Sequence, residues 1–167
     1  MASSGAAMAY EARLTLALRA LLQSQRAAAL GTINPDGTPL VSMVPFALEP
    51  SHGCVVIHVS GLAAHTGNLQ RSPAASLMVM QAETVGEPVH ALPRVTLVAR
   101  AEVLEPEMPL WRACRTAYLE RFPEAEPLTA LGDFRFLALR VGGARQVAGF
   151  GAARSVSVEE IAQVMSG

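Results

Sequence analysis

The chain has 167 residues, 51% of them apolar, and a net charge of −1. That length and apolar share suit a single domain with a sizeable core, and the balanced charge excludes the basic field that nucleic acid or an anionic membrane would need. All 13 basic residues are arginine, which excludes a Schiff-base lysine and a Walker-type phosphate lysine. Any bound phosphate must then be held by guanidinium forks, backbone N–H groups or small hydroxyl and amide side chains.

The acids are nearly all glutamate, Asp36 and Asp133 excepted, and no cluster has the spacing of a Mg²⁺ or Ca²⁺ site. Cys54 and Cys114 lie far apart in apolar surroundings without a CxxC, which predicts core thiols in a reducing compartment. The start of the chain, MASSGAAMAYEAR, lacks the basic n-region and apolar run of a signal peptide, and no stretch approaches ~18 apolar residues. A soluble, cytoplasmic protein without metal, membrane or nucleic acid is expected.

In chain order, residues 1–8 are small and featureless and read as a disordered tail, ahead of one domain over 9–167. Tyr10, Leu14, Leu18, Leu21 and Leu22 recur at helical spacing and predict a helix from about residue 9 to 24. Ala27–Ile33 is a short apolar strand, followed by a turn at Asn34-Pro35-Asp36-Gly37, where proline presets φ and glycine accepts φ > 0. Pro39–Leu48 is the second strand. Pro45 removes a ladder donor there, so an edge, a bulge or a break is expected. After a turn at Pro50-Ser51-His52-Gly53, Cys54–Ser60 is the third strand. Leu62–Arg71 reads as a short helix ending before Pro73, Ala75–Ala82 as a fourth strand, residues 83–93 as a loop, and Arg94–Leu104 as a long strand. Pro109 opens a helix to about residue 122, and 123–132 is loop-like. Phe134–Val141 and Ala144–Phe150 read as two strands joined by a hairpin at Gly142-Gly143. Ser157-Val158-Glu159-Glu160 is a capping box that opens a last helix to about Met165. Six or seven hairpin-joined antiparallel strands without βα alternation predict a mainly β fold, a Greek-key barrel with peripheral helices.

The segment SGLAAHTGNL puts polar groups where the third strand meets a helix: Ser60, His65, Thr66 and Asn68. Free N–H groups at a helix start, with these side chains beside them, make an anion seat. The plain alternative is an ordinary capped turn, with Ser60 as N-cap and His65 on the surface. Arg94 opens its strand, as a ligand for a phosphate or ring edge or as a surface arginine. Met43, Val44 and Pro45 are candidates for contact with a ring, or simply core. His52 lies in a turn, His58 in a strand and His90 in a loop, none in a recognisable heme motif. No Ser/His/Asp arrangement stands out, and the glutamates of 102–126 read as a solvated face.

Residues 26–69, RAAALGTINPDGTPLVSMVPFALEPSHGCVVIHVSGLAAHTGNL, together with RVTLVARAEVL and FRFLALRVGGARQVAGFGAARSVSVEEI, resemble the FMN-binding split barrels of the pyridoxamine 5'-phosphate oxidase-like superfamily. The likeness is greatest to the branch linked to heme utilisation, with GFGAA (Gly149 to Ala153) its most specific element, and it runs from about residue 13 to 165. It implies a homodimer with FMN in a cleft at the subunit interface and an FMN-dependent oxidoreductase of unknown substrate. It implies Ser60, His65, Thr66, Asn68 and Arg94 at the phosphate and ribityl end, Met43, Val44 and Pro45 at the ring, and Arg145 and Arg154 toward a partner's cofactor. The basic pair common in this family's phosphate site is absent here, where Ala64, His65, Thr66 and Gly67 stand. Two alternatives follow: a heme-binding or heme-handling protein using the same dimer cleft, or a cofactor-free dimeric barrel. The lysine the oxidases use in the second strand and their C-terminal arginine and tryptophan pattern are missing, so pyridoxamine phosphate oxidation itself is not expected. The resemblance implies that heme-degrading members carry a C-terminal domain with a heme-ligating histidine; no histidine follows His90 here, which counts against heme degradation.

Overall fold

The computed structural model describes residues 2–167, excluding the side chains of residues 2–4 and 7. Helix α1 (Ala2–Ser24) begins at Ala2 rather than near residue 9. Alanine is the best helix former, and no proline interrupts this run. Met1 of the expected tail lies outside the described residues. Leu14, Leu18, Leu21 and Leu22 form the buried face of α1, while Tyr10 is exposed beneath the Arg13 guanidinium.

Strands β1 (Ala27–Ile33), β2 (Pro39–Pro45), β3 (Ala47–Glu49), β4 (Cys54–Ser60), β5 (Ala74–Met80), β6 (Arg94–Val103), β7 (Phe134–Val147) and β8 (Ala153–Val156) form one antiparallel sheet. Its order is β2-β1-β5-β6-β7-β4-β3, with β8 paired to β7. The expected second strand is two strands. Pro45 has no N–H to continue the ladder, so the segment changes partner: β2 pairs with β1, and β3 pairs with β4. Between them Phe46 is fully buried and donates its N–H to the Arg26 carbonyl at 3.2 Å. Because β2 and β3 adjoin in sequence but end opposite edges of the sheet, the sheet curls into a split barrel.

The barrel interior holds Leu30, Val44, Phe46, Ile57, Leu77, Leu97, Leu137 and Leu139. It is closed by α1 and by α4 (Val158–Ser166), which brings Ile161 and Val164. Helix α3 (Pro109–Arg121) covers the outer face of β4 and β7, making a second apolar layer of Cys54, Val56, Cys114, Tyr118, Phe122 and Phe136. Cover on both sides explains why β4 reads as an almost unbroken apolar run, CVVIHVS, instead of alternating.

The hairpin expected at Gly142-Gly143 is not there. β7 runs straight through both glycines, and the pairing slips by one residue opposite Val98 and Ala99, a β-bulge. Glycine inside a strand marks such an irregularity as readily as a turn. The turn lies later, at Ala148–Ala152, where Gly149 and Gly151 take φ of 147° and 74° and lead into β8. The stretch 123–132 contains a 3₁₀ helix, Pro123–Ala130. Half of the expected capping box forms: Ser157 Oγ accepts from the Glu160 N–H at 3.2 Å, while the Glu160 carboxylate accepts from Thr15 and Arg154 instead of the Ser157 N–H.

Candidate functional site

Helix α2 (Ala64–Arg71) packs against the end of β1, and the polar residues after β4 are the seam. Ser60 Oγ donates to Asp133 Oδ2 at 2.9 Å and accepts from the Leu62 N–H at 3.1 Å. Thr66, fully buried, donates to the Ser60 carbonyl at 2.6 Å. The buried Asn68 amide donates to Thr32 Oγ1 at 3.1 Å and Asn34 Oδ1 at 2.9 Å. His65 Nδ1 lies 3.1 Å from Ser42 Oγ, and its Nε2 is buried without a partner. Burial holds the His65 imidazole below its ordinary pKa. Ser60 does not cap the helix; Ala63 occupies the N-cap without a side-chain bond. Within this chain most of the set's side-chain donors are already engaged, and His65 Nε2 is left over. Ser60, Thr66 and Asn68 donate inside the chain, and the Arg71 guanidinium is bonded to the Ile33 carbonyl.

Arg94 is elsewhere. It starts β6 opposite Met80 and Val147, bonded to the Leu92 carbonyl at 3.0 Å. That is the far end of the sheet from Asn34, roughly 20 Å along the strands. The structure brings Ser60, His65, Thr66 and Asn68 together and leaves Arg94 apart from them. Val44 points into the core, whereas Met43 and Pro45 point outward, Met43 70% exposed.

The outward residues of β2, β1, β5 and β6 form a surface of which sequence reasoning named Met43, Arg94 and Arg145 but not the rows that join them. One cross-strand row reads Met43, Ala29, Met78, Thr96, Arg145. The next reads Val41, Gly31, Ser76, Val98, Gly143. Val41 and Val98 are 69% and 59% exposed. The small residues of the second row floor a hollow of about 330 Å³ that reaches Ile33 and Pro39. Arg94 stands in the row beyond Met78, and Arg100 follows Val98 by one repeat, so guanidiniums flank an apolar platform. The signal was present in the sequence: PLVSMVP carries apolar residues at both parities of the strand.

His58 sits on the other side, between β4 and α3. It stacks on Phe136, with ring centroids 4.3 Å apart, and meets Tyr118 and Phe134. Burial pushes its pKa down to about 4. At the β3–β4 turn the buried Glu49 carboxylate accepts from the backbone N–H groups of Ser51 and His52 and lies 2.9 Å from His52 Nδ1. Burial alone would raise Glu49; bonds from Ser51 and His52 outweigh it and hold the carboxyl below its usual range. Among the described residues no three histidine, cysteine or acidic side chains are grouped to hold a metal, and no helix is long and apolar enough to cross a membrane.

Residues 14–148 match the pyridoxamine 5'-phosphate oxidase family. The chain belongs to that family. It is 31% identical over 152 residues to the heme oxygenase HutZ of Vibrio cholerae serotype O1, covering 90% of this chain and 85% of that one. Among solved structures, a heme binding protein from Mycobacterium smegmatis superimposes with a TM-score of 0.79 at 31% identity. That match covers 90% of this chain and 60% of the other, so the chain spans less than two thirds of that relative's length. HutZ from Vibrio cholerae, described there as a heme storage protein, matches with a TM-score of 0.67 at 29% identity, covering 73% of this chain and 85% of that one. The split barrel read from the sequence is the fold these relatives share.

Proposed function

We propose that this family member binds and handles heme on the outer platform of β2, β1, β5 and β6, beneath a second copy of the chain. The observation that carries the reading is the platform itself. Heme is a flat apolar ring with carboxylate side chains, and Val41, Met43, Met78 and Val98 offer an apolar bed. Arg94, Arg100 and Arg145 stand around it for carboxylates. An apolar face this open is a surface that a ligand or a subunit covers. The relatives named for heme support the reading. None of the four histidines lies in these rows, so binding would draw on buried apolar area and guanidinium–carboxylate pairs.

FMN-dependent oxidoreduction is the second reading, favoured by the family match over residues 14–148. Against it stands the engagement of Ser60, Thr66 and Asn68 within the chain. Titration of the purified protein with hemin, and separately with FMN, distinguishes the two. Heme handling predicts a shifted Soret band at micromolar hemin, lost in Met43→Glu and Val98→Glu and weakened at least about tenfold in an Arg94→Ala, Arg145→Ala double variant. Sedimentation velocity should give a dimer that the two glutamate variants dissociate. Stoichiometric quenching of FMN fluorescence with no hemin response would overturn the proposal in favour of the flavin. Equal hemin binding by all variants would remove the platform as the site.

A further inference from the structure

Cys54 and Cys114, far apart in sequence, meet in the layer between β4 and α3. Their sulfurs are 3.9 Å apart, both side chains are fully buried, and both are free thiols. The surrounding side chains, among them Ala47, Leu104, Tyr118 and Phe136, are apolar or aromatic, so each sulfur has the other as its polar neighbour. Nothing in the proposed handling of heme uses this pair, which lies on the opposite face of the fold from the platform.

We propose that Cys54 and Cys114 are a redox modification site, a dithiol that a peroxide converts to an intramolecular disulfide tying α3 to β4. From contact at 3.9 Å the sulfurs have about 2 Å to close to reach the bonded distance. Access is short. A cavity of about 390 Å³ is lined by His52, Leu104, Leu110 and Trp111, and Leu104 belongs both to its wall and to the layer holding the thiols. The pair is also asymmetric. The hydrogen bond between the two sulfurs and the nearby Arg140 guanidinium hold the Cys54 thiol below its ordinary pKa against burial, while the same bond and burial push Cys114 up. Cys54 pairs directly with Arg140 across β4 and β7, and a guanidinium beside it favours the thiolate, so in the proposed reaction Cys54 makes the first attack.

The chemistry balances. The Cys54 thiolate attacks the peroxide, an S–O bond forms, the O–O bond breaks, and the departing hydroxide takes the thiol proton as water. Cys114 then attacks Cys54 Sγ, the S–S bond forms, the S–O bond breaks, and the second hydroxide leaves with the Cys114 proton as water. Two thiols are oxidised and one peroxide is reduced to two waters.

The test treats the folded protein with hydrogen peroxide, then denatures and alkylates it without reductant. The expected result is loss of both free thiols and a whole-chain mass lower by two hydrogens. A digest should yield one cross-linked pair of peptides bearing Cys54 and Cys114, and dithiothreitol should restore both thiols. Trp111, the single tryptophan and one helical turn before Cys114, should lose fluorescence as the disulfide forms and regain it on reduction. Two alkylated thiols after peroxide, a sulfinic acid on either sulfur, or a disulfide between chains would each overturn the proposal. The order of attack is read separately. Cys114→Ser should leave a Cys54 sulfenic acid that dimedone traps, and Cys54→Ser should leave Cys114 a thiol; the reverse would refute Cys54 as nucleophile. The wild-type measurement needs no variant to fold.

Discussion

His58 should make this protein acid-sensitive in a defined pH window. Its imidazole is 7% exposed and enclosed by Tyr118, Phe134 and Phe136, with burial moving its pKa from 6.5 down to about 4. The folded pKa is depressed and the group is a base, so the fold holds the neutral form. Above the unfolded value His58 is neutral in both states and contributes no pH dependence. As pH falls through 6.5 the unfolded chain takes up a proton that the folded chain refuses, and stability declines until the folded pKa is reached. Between about pH 7.5 and pH 5 the linkage relation gives a loss of about 2 kcal/mol. Urea denaturation of the wild type and of His58→Phe at both pH values isolates the term, because every other titrating group is common to the two. The wild type should lose about 2 kcal/mol more than the variant over that interval. Equal losses in both proteins would show that His58 titrates normally in the fold, and that the aromatic box does not exclude its charge.

Three further substitutions test the β4–α2 junction and the cap of α4. A Cβ at Gly61 would lie 2.9 Å from the Asp133 carbonyl oxygen, so Gly61→Ala should cost about 1–3 kcal/mol in denaturant unfolding; an unchanged midpoint would mean the β4–α2 junction yields freely. Asn68→Ala removes the donor shared by Thr32 and Asn34 inside a buried seam and should cost about 1–3 kcal/mol. If it instead left stability intact and weakened FMN binding, Asn68 would be a ligand contact. Ser157→Ala deletes the N-cap of α4 and should cost about 1 kcal/mol by the same assay, with the effect absent in Ser157→Asp.

Much of the barrel was legible because turn chemistry and alternation agree. β1 and β4 begin and end where the residues predict, since Asn34-Pro35-Asp36-Gly37 and Pro50-Ser51-His52-Gly53 punctuate them and Gly37 and Gly53 take φ of 85° and 63°. Pro45 was legible as a disruption, but its effect was not. Losing one ladder donor lets the chain trade one neighbour strand for another, and only closure of the sheet decides that outcome. Gly142-Gly143 failed for the converse reason: the same dipeptide suits a tight turn or a bulge, and the long β6 partner favours the bulge. The cysteines read as isolated because 60 positions separate them. Their meeting depends on α3 folding back over β4, which no local pattern records.

The candidate site was legible residue by residue but not as a constellation. Ser60, His65, Thr66 and Asn68 share one strand–helix junction, so their proximity follows from sequence. Arg94 does not join them, because antiparallel strands send successive strand starts to alternate ends of the sheet. The stronger clue lay in parity. On β6, Val95, Leu97 and Ala99 face the interior, while Thr96 and Val98 face out; on β2, Val44 faces in while Val41 and Met43 face out. A strand with apolar residues on both faces requires cover on both. α1 and α4 supply the inner cover, and α3 supplies the outer cover for β4. Over β2, β1, β5 and β6 the apolar outer rows remain open among the described residues. That asymmetry, the same pattern covered on β4 and bare on β2, is the physical ground on which the platform is proposed as a binding surface.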